Sequence, residues 1–185
     1  MNSGEVTAQE VGVALFSGAK IVMNGGKITG VDNGPIMGNG TAGRGDVEIV
    51  MNGGELVANI QSSGYVACGV YMPNTGSFTM NGGKITANGG AGVVARGGDV
   101  KILGGEIITT AHPTLSEGKV GDSRVVVKCA PVVYDKYSSY PGANSLQLEI
   151  GANAVLTTSV EDADIIDGIQ VLPAEDRSLI VDHRA

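Results

Sequence analysis

A six-residue phrase returns along the chain and sharply limits what the chain can fold into. Met51-Asn52-Gly53-Gly54-Glu55-Leu56 has near copies in Met23-Asn24-Gly25-Gly26-Lys27-Ile28 and Met80-Asn81-Gly82-Gly83-Lys84-Ile85. Ile102-Leu103-Gly104-Gly105-Glu106-Ile107 is a looser copy, and Asn2-Ser3-Gly4-Glu5-Val6 matches the tail of another. The second glycine of each falls at positions 4, 26, 54, 83 and 105, at intervals of 22, 28, 29 and 22 residues. Periods of this length mark stacked arrays whose units do not fold alone.

Around each marker the apolar residues alternate. Ile21/Met23, Ile49/Met51, Phe78/Met80 and Val100/Ile102 precede the glycines, each pair two residues apart. Val22, Val50, Thr79 and Lys101 lie between them, a column that accepts polar residues. This is strand periodicity, with the first set inward and the second outward. One inward aliphatic follows each bend: Val6, Ile28, Leu56, Ile85 and Ile107. Glycine suits the bend because it tolerates positive φ and has no Cβ to strike the layer stacked on it.

A further strand is expected at Val13/Leu15, Ile36, Val70/Met72 and Val93/Ala95, each after a glycine or the Gly34-Pro35 pair. Three short strands in a shortest turn of 22 residues predict an all-β chain, a parallel β-helix with neighbouring turns about 4.8 Å apart. The leucine-rich-repeat pattern and long 3.6-residue periodicity are both missing. Longer turns imply loops at residues 38–46 and around Gln61-Ser62-Ser63-Gly64.

Two columns carry more than hydrophobicity. The residue after the second glycine reads Glu5, Lys27, Glu55, Lys84, Glu106, alternating in sign. In register, each charge faces opposite charge above and below. Asn24, Asn52 and Asn81 form the other column, which ends at Leu103, and stacked asparagines can share hydrogen bonds along a ladder.

The chain of 185 residues reads as a single domain. Residues 1–110 are regular repeats, 111–160 less regular turns with an insertion at 131–145, and 161–185 a C-terminal cap. The N-terminal end lacks a comparable cap, and the chain opens partway through a repeat. Those features imply a segment of a longer protein whose targeting signals lie elsewhere. Neither a signal peptide nor an apolar run long enough to span a bilayer is seen.

The net charge of −7 disfavours nucleic acid and anionic membrane as partners. Cys68 and Cys129 lie in apolar surroundings and read as buried free thiols, with a disulfide between them left open. No metal-ligand spacing or cofactor motif occurs.

Gly69-Val70-Tyr71 followed by Ser77-Phe78-Thr79-Met80-Asn81-Gly82-Gly83-Lys84-Ile85-Thr86-Ala87-Asn88 resembles a repeat of large bacterial and archaeal adhesin-like surface proteins. The resemblance covers roughly residues 2–110. It implies a right-handed parallel β-helix of the pectin-lyase-like type and a cell-surface or extracellular location. It gives no guidance on ligand or on the C-terminal third.

Chemistry is sparse. Parallel β-helices also host polysaccharide lyases and glycosidases, and inverting hydrolysis needs two carboxyls about 6.5–9.5 Å apart. Glu48 and Asp99 share a column with Lys20 and Ser77, two turns and about 10 Å apart by strand spacing. With Arg96 they form the catalytic alternative, against which stands a solvated ladder of mixed charge. Arg44 joins no acidic cluster. His112 and His183 lie in irregular stretches, so neither a Ser-His-Asp nor a Cys-His arrangement can be built. Thr29 and Thr86 share a column, but Val57 and Ile108 interrupt it, which removes an ice-binding face. Tyr134, Tyr137 and Tyr140, in the insertion, are the candidate ligand-binding residues, since tyrosine offers flat apolar area with a polar tip. Packing of those rings against the solenoid is the competing reading. The expected function is a non-catalytic adhesin-like module binding carbohydrate or a cell-surface protein, with a polysaccharide-active enzyme as the alternative.

Overall fold

The computed structural model describes residues 1–41, 43–61, 68–111, 118–120, 125–127, 129–134, 142, 145–161 and 163–168. Among them the chain is all-β, with no α-helix. The opening strands are β1 (Glu5–Ala8), β2 (Val11–Ala14), β3 (Lys20–Met23), β4 (Lys27–Val31), β5 (Gly34–Met37) and β6 (Val47–Met51). β7 (Glu55–Asn59), β8 (Cys68–Met72), β9 (Gly76–Met80), β10 (Lys84–Asn88), β11 (Ala91–Ala95) and β12 (Asp99–Thr110) follow. The last are β13 (Gly118–Val120), β14 (Val125–Val127), β15 (Val132–Tyr134), β16 (Gln147–Thr158) and β17 (Ile166–Gly168).

The described strands form a nine-stranded sheet, a six-stranded sheet and a two-stranded one. The larger sheet runs β1-β4-β7-β10-β12-β9-β6-β3, with β16 on β12, and the smaller runs β17-β15-β11-β8-β5-β2. Pairing in both is parallel, and only β13 with β14 is antiparallel among the described pairs. Parallel strands in curled sheets, visited in rotation by the chain, are consistent with a β-helix or related solenoid.

The larger sheet is continuous because β12 does not break at its glycines. Its first half pairs with β9, from Asp99 opposite Ser77 to Ile102 opposite Met80. Its second half pairs with β10, from Lys84 opposite Glu106 to Asn88 opposite Thr110. β16 follows β12 along its length but carries one extra residue at the bend, where Ile102 faces Ile150 and Gly104 faces Asn153. Gly151-Ala152-Asn153 thus makes a bulge in place of the tight Gly-Gly bend.

The glycine file is real. Gly4, Gly26, Gly54, Gly83 and Gly105 all have φ between +84° and +92°. A Cβ on Gly54 would lie 2.7 Å from the carbonyl oxygen of Gly26, and one on Gly83 would lie 2.8 Å from that of Gly54. Both the left-handed backbone and the close approach therefore demand glycine.

Inward residues build one core between the sheets, including Ile28, Leu56, Ile85, Ile107, Met23, Met51, Phe78 and Val93. Burial alternates along β6, β10 and β12, as the sequence periodicity predicts. β8 and β11 are instead buried on both faces. On the far side of the smaller sheet Cys68, Tyr71, Ala91, Val94, Ala130 and Val133 make a second apolar cluster. The strands expected at Val13, Ile36, Val70 and Val93 pair in register, Val13 with Ile36, Ile36 with Val70, Val70 with Val93 and Val93 with Val132.

Two irregular stretches contain more regular structure than their sequence suggests. Val132–Tyr134, at the head of the segment read as an insertion, is a strand in register with β11. Ile166–Gly168, within the segment read as a cap, pairs with β15. The loop expected near Gln61-Ser62-Ser63-Gly64 falls mostly outside the described residues, as do residues 169–185.

Candidate functional site

The outward face of the larger sheet is where polar side chains collect, and parallel register decides which of them meet. Lys20 stands opposite Glu48, Glu48 opposite Ser77, and Ser77 opposite Asp99. The sequence-expected column of Glu48 and Asp99 is therefore present, with Gln147 extending it beyond Asp99. Each carboxylate is engaged by a lysine. Lys20 Nζ lies 2.7 Å from Glu48 Oε1, and Lys101 Nζ lies 3.4 Å from Asp99 Oδ2. Lys101 also lies 3.9 Å from Glu149 Oε2.

An acid that protonates a leaving group usually sits in an apolar pocket that disfavours its charge. Glu48 is instead an exposed, lysine-paired side chain, 45% accessible. Arg96 does not join the column at the surface. It is 1% exposed, enclosed at the corner between β11 and β12, where its backbone N–H donates to Met72 O at 2.8 Å. The geometry thus brings Glu48 and Asp99 into one file and keeps the guanidinium away from solvent on that face.

Tyr134 belongs to the core. It is 6% exposed, and its hydroxyl donates to Leu146 O at 3.3 Å. It stacks on Ala95, which in turn stacks on Met72, so the small alanine makes room for the ring. Burial pushes its phenol up from the ordinary value. Tyr134 therefore supplies packing rather than an exposed platform. Tyr137 and Tyr140 lie outside the described residues.

Neighbouring columns are ladders. Asn24 donates through Nδ2 to Asn2 Oδ1, Asn52 to Asn24 and Asn81 to Asn52, each at 2.8 Å. The alternating charges fall in the expected register, with Lys27 Nζ 3.0 Å from Glu55 and Lys84 Nζ 3.1 Å from Glu106.

Further polar networks were not anticipated from the sequence. Asn88 donates to Asn59 at 2.7 Å, and Thr110 donates to Asn88 at 2.7 Å. All three occur five residues after a marker glycine, a regularity visible in the repeat once that column is followed. Asn74, 3% exposed, reaches across the loop to donate to Asn39 O and Thr41 O. Thr109 and Thr158 both donate to Cys129 O.

Cys68 and Cys129 are free and buried, which closes the disulfide alternative. Burial raises the Cys68 thiol far above its ordinary range. Among the described residues no group of three or more His, Cys, Asp or Glu side chains could hold a metal ion. No helix among them is long and apolar enough to cross a membrane. Comparison with known proteins finds no matching family model, no similar curated protein and no similar solved structure.

Proposed function

We propose that the chain is a non-catalytic structural module, adhesin-like in character, within a bacterial cell-surface or secreted protein. Its architecture in this reading is a right-handed parallel β-helix with three strands per turn. Carbohydrate or a cell-surface protein is the class of partner it would meet. One observation carries the proposal: the outward polar side chains are used on one another. Asparagine binds asparagine and lysine binds glutamate along the length of the stack. Such ladders fix register and keep the face solvated, and they leave few side chains converging on a point where a substrate could be held. The repeat's resemblance to adhesin-like surface proteins supports the location and the handedness.

The alternative is a polysaccharide-active enzyme, favoured by the single file of Glu48, Ser77 and Asp99. Incubation with a panel of acidic and neutral polysaccharides separates the two. The structural reading expects no shortening of any polymer. Depolymerisation that disappears on Glu48→Gln or Asp99→Asn would replace it with the enzymatic one. Binding on a glycan array, weakened by Tyr137→Ala or Tyr140→Ala, would identify carbohydrate as the partner.

A further inference from the structure

In an Asn-Gly dipeptide the backbone nitrogen of the glycine can attack the side-chain amide before it, because no Cβ hinders the ring that closes. The chain has six such asparagines: Asn24, Asn33, Asn39, Asn52, Asn81 and Asn88. The reaction needs the side-chain carbon beside the glycine nitrogen, a side-chain nitrogen free to leave, and water. The structure meets those needs unequally. Asn24, Asn52 and Asn81 commit the nitrogen that would leave to the ladder, each at 2.8 Å, and Asn88 commits its own to Asn59 at 2.7 Å. The attacking groups are engaged as well. The N–H of Gly53 donates to Met23 O, that of Gly82 to Met51 O, that of Gly89 to Thr110 O and that of Gly34 to Glu10 O. The ladder positions also lie between strands paired on either side, which fixes their backbone.

Asn39 is arranged the other way. It lies in the loop after β5, outside any strand. Its Oδ1 accepts from the backbone N–H of Thr41 at 2.8 Å, at an exposed position that water reaches. That bond closes a ring containing both Cγ of Asn39 and the nitrogen of Gly40, so the side chain is folded back over the group that would attack it. The same N–H faces the oxygen on which negative charge develops when a nitrogen adds to Cγ. Nδ2 of Asn39 and the N–H of Gly40 have no hydrogen-bond partner among the described residues. Buried Asn74 holds the loop on either side of this ring, donating to Asn39 O at 3.3 Å and to Thr41 O at 3.1 Å. Nucleophile and leaving group are thus both unengaged, in a segment clamped around them.

We propose that Asn39-Gly40 is a self-modification site, where the folded chain converts asparagine to aspartate and isoaspartate with water as the sole co-reactant. The Gly40 nitrogen bonds to Cγ, and the Cγ–Nδ2 bond breaks. Nδ2 leaves as ammonia, carrying the proton that Gly40 gave up. Water then opens the five-membered imide, at Cγ to give aspartate or at the main-chain carbonyl carbon to give isoaspartate. Nothing is oxidised or reduced. Each product adds one negative charge to the loop. Isoaspartate also lengthens the main chain by one methylene between Asn39 and Thr41, the two residues whose carbonyls Asn74 holds. Because ammonia is lost, the change of charge and register runs one way. The inference rests on the loop geometry, independently of the surface-module reading.

The test incubates the full chain in mildly alkaline buffer, folded and in urea, and maps its peptides by mass spectrometry with fragmentation that separates aspartate from isoaspartate. In urea the six sites should convert at comparable rates. In the folded chain Asn39 should convert about tenfold faster than any of the other five, the rate equivalent of one hydrogen bond to a developing charge. Thr41→Pro removes the donated N–H and should abolish that lead, its urea midpoint confirming that the chain is folded. Conversion at Asn39 no faster than at Asn24, Asn52 or Asn81 in the folded parent would overturn the proposal. A lead of the same size in urea would overturn it too, since local sequence alone would then be the cause. These two comparisons need only the parent chain. An undiminished lead in folded Thr41→Pro would remove the hydrogen bond on which the site is built, and the proposal with it.

Discussion

The side-chain Nδ2 of Asn52 donates to Oδ1 of Asn24 at 2.8 Å, although the two residues are 28 positions apart. Asn81 repeats the bond onto Asn52 from 29 positions further on. An interior rung therefore belongs to two hydrogen bonds, and an end rung to one. Because each amide both gives and accepts, the ladder is satisfied only when successive layers keep a common register.

Replacement of Asn52 by Ala removes both of its ladder bonds. The site is exposed, so water re-solvates the freed groups and each bond is worth the low end of its usual range. We expect Asn52→Ala to lower unfolding free energy by about 1 kcal/mol and Asn2→Ala by about half as much. Urea denaturation with unchanged m-values checks the ratio, and equal losses at the two positions would contradict a shared ladder.

Glycine substitutions should separate the stacked positions from the open one. Gly54→Ala would place its Cβ 2.7 Å from Gly26 O and 2.6 Å from Met23 Cε. At Gly4 a similar φ, +92° against +88° at Gly54, meets no neighbour. The left-handed backbone alone costs about 1–2 kcal/mol, so Gly4→Ala should lose about that much. Gly54→Ala should lose at least about 3 kcal/mol, since backbone must also move. Thermal unfolding of both variants gives the comparison.

The larger sheet was legible in the sequence because its determinants are local and periodic. Met23, Met51 and Met80 and the glycines after them return in one short phrase, and the structure stacks them as that phrase implies. The charge file and the asparagine ladder could be read for the same reason. Asn59, Asn88 and Thr110 were missed because they lie beyond the phrase, where neighbouring residues vary. Which of the two readings applies to Tyr134, packing or an exposed platform, was open in the sequence for a different reason. Its inward direction depends on pairing with β11, and its room depends on Ala95, a partner 39 positions away in the sequence. A ring in a stretch rich in Tyr, Ser and Pro resembles a surface loop until that long-range pairing is known. Nor does the sequence periodicity reveal that β8 and β11 are buried on both sides, since a uniformly apolar strand has no alternation to read.

Burial of the Tyr134 ring makes a graded prediction. Tyr134→Phe loses one hydrogen bond to Leu146 O and should cost about 1 kcal/mol. Tyr134→Ala also empties the space over Ala95 and should cost about 3–5 kcal/mol. A Tyr134→Ala variant as stable as the parent in urea would show that the ring does not fill the core.

Cys68 predicts an alkaline weakness. Its thiol is 0% exposed, and burial raises its pKa from the ordinary 9.0. The folded state therefore keeps a proton that the unfolded chain releases, so this stability is fully present below pH 9 and is lost as pH rises above it. The slope approaches about 1.4 kcal/mol per pH unit once the unfolded thiol is ionised. Tyr134 shifts in the same direction and adds to the loss above its ordinary value of 10.0. Cys68→Ala should make the stability profile between pH 9 and pH 10 shallower, as read from urea midpoints. An unchanged slope would mean that the thiol titrates alike in both states.

The charge file distinguishes a column from a set of separate ion pairs. Lys27 faces Glu5 on one side and Glu55 on the other, and Glu55 in turn faces Lys84. Lys27→Glu creates two like-charged contacts, and at about 0.2–1 kcal/mol per reversed neighbour it should destabilise by about 1 kcal/mol. For an isolated pair, adding Glu55→Lys would restore the loss by exchanging the partners. In a column the double variant regains the Lys27–Glu55 contact but sets Glu5 against a new acid and Lys84 against a new base. It still contains two like contacts, so it should be no more stable than Lys27→Glu alone. High salt should narrow the gap between both variants and the parent, because these side chains are about 40% exposed and screened by ions. Recovery of parental stability by the exchange at low salt would show that only the 3.0 Å pair matters and that the file has no collective role.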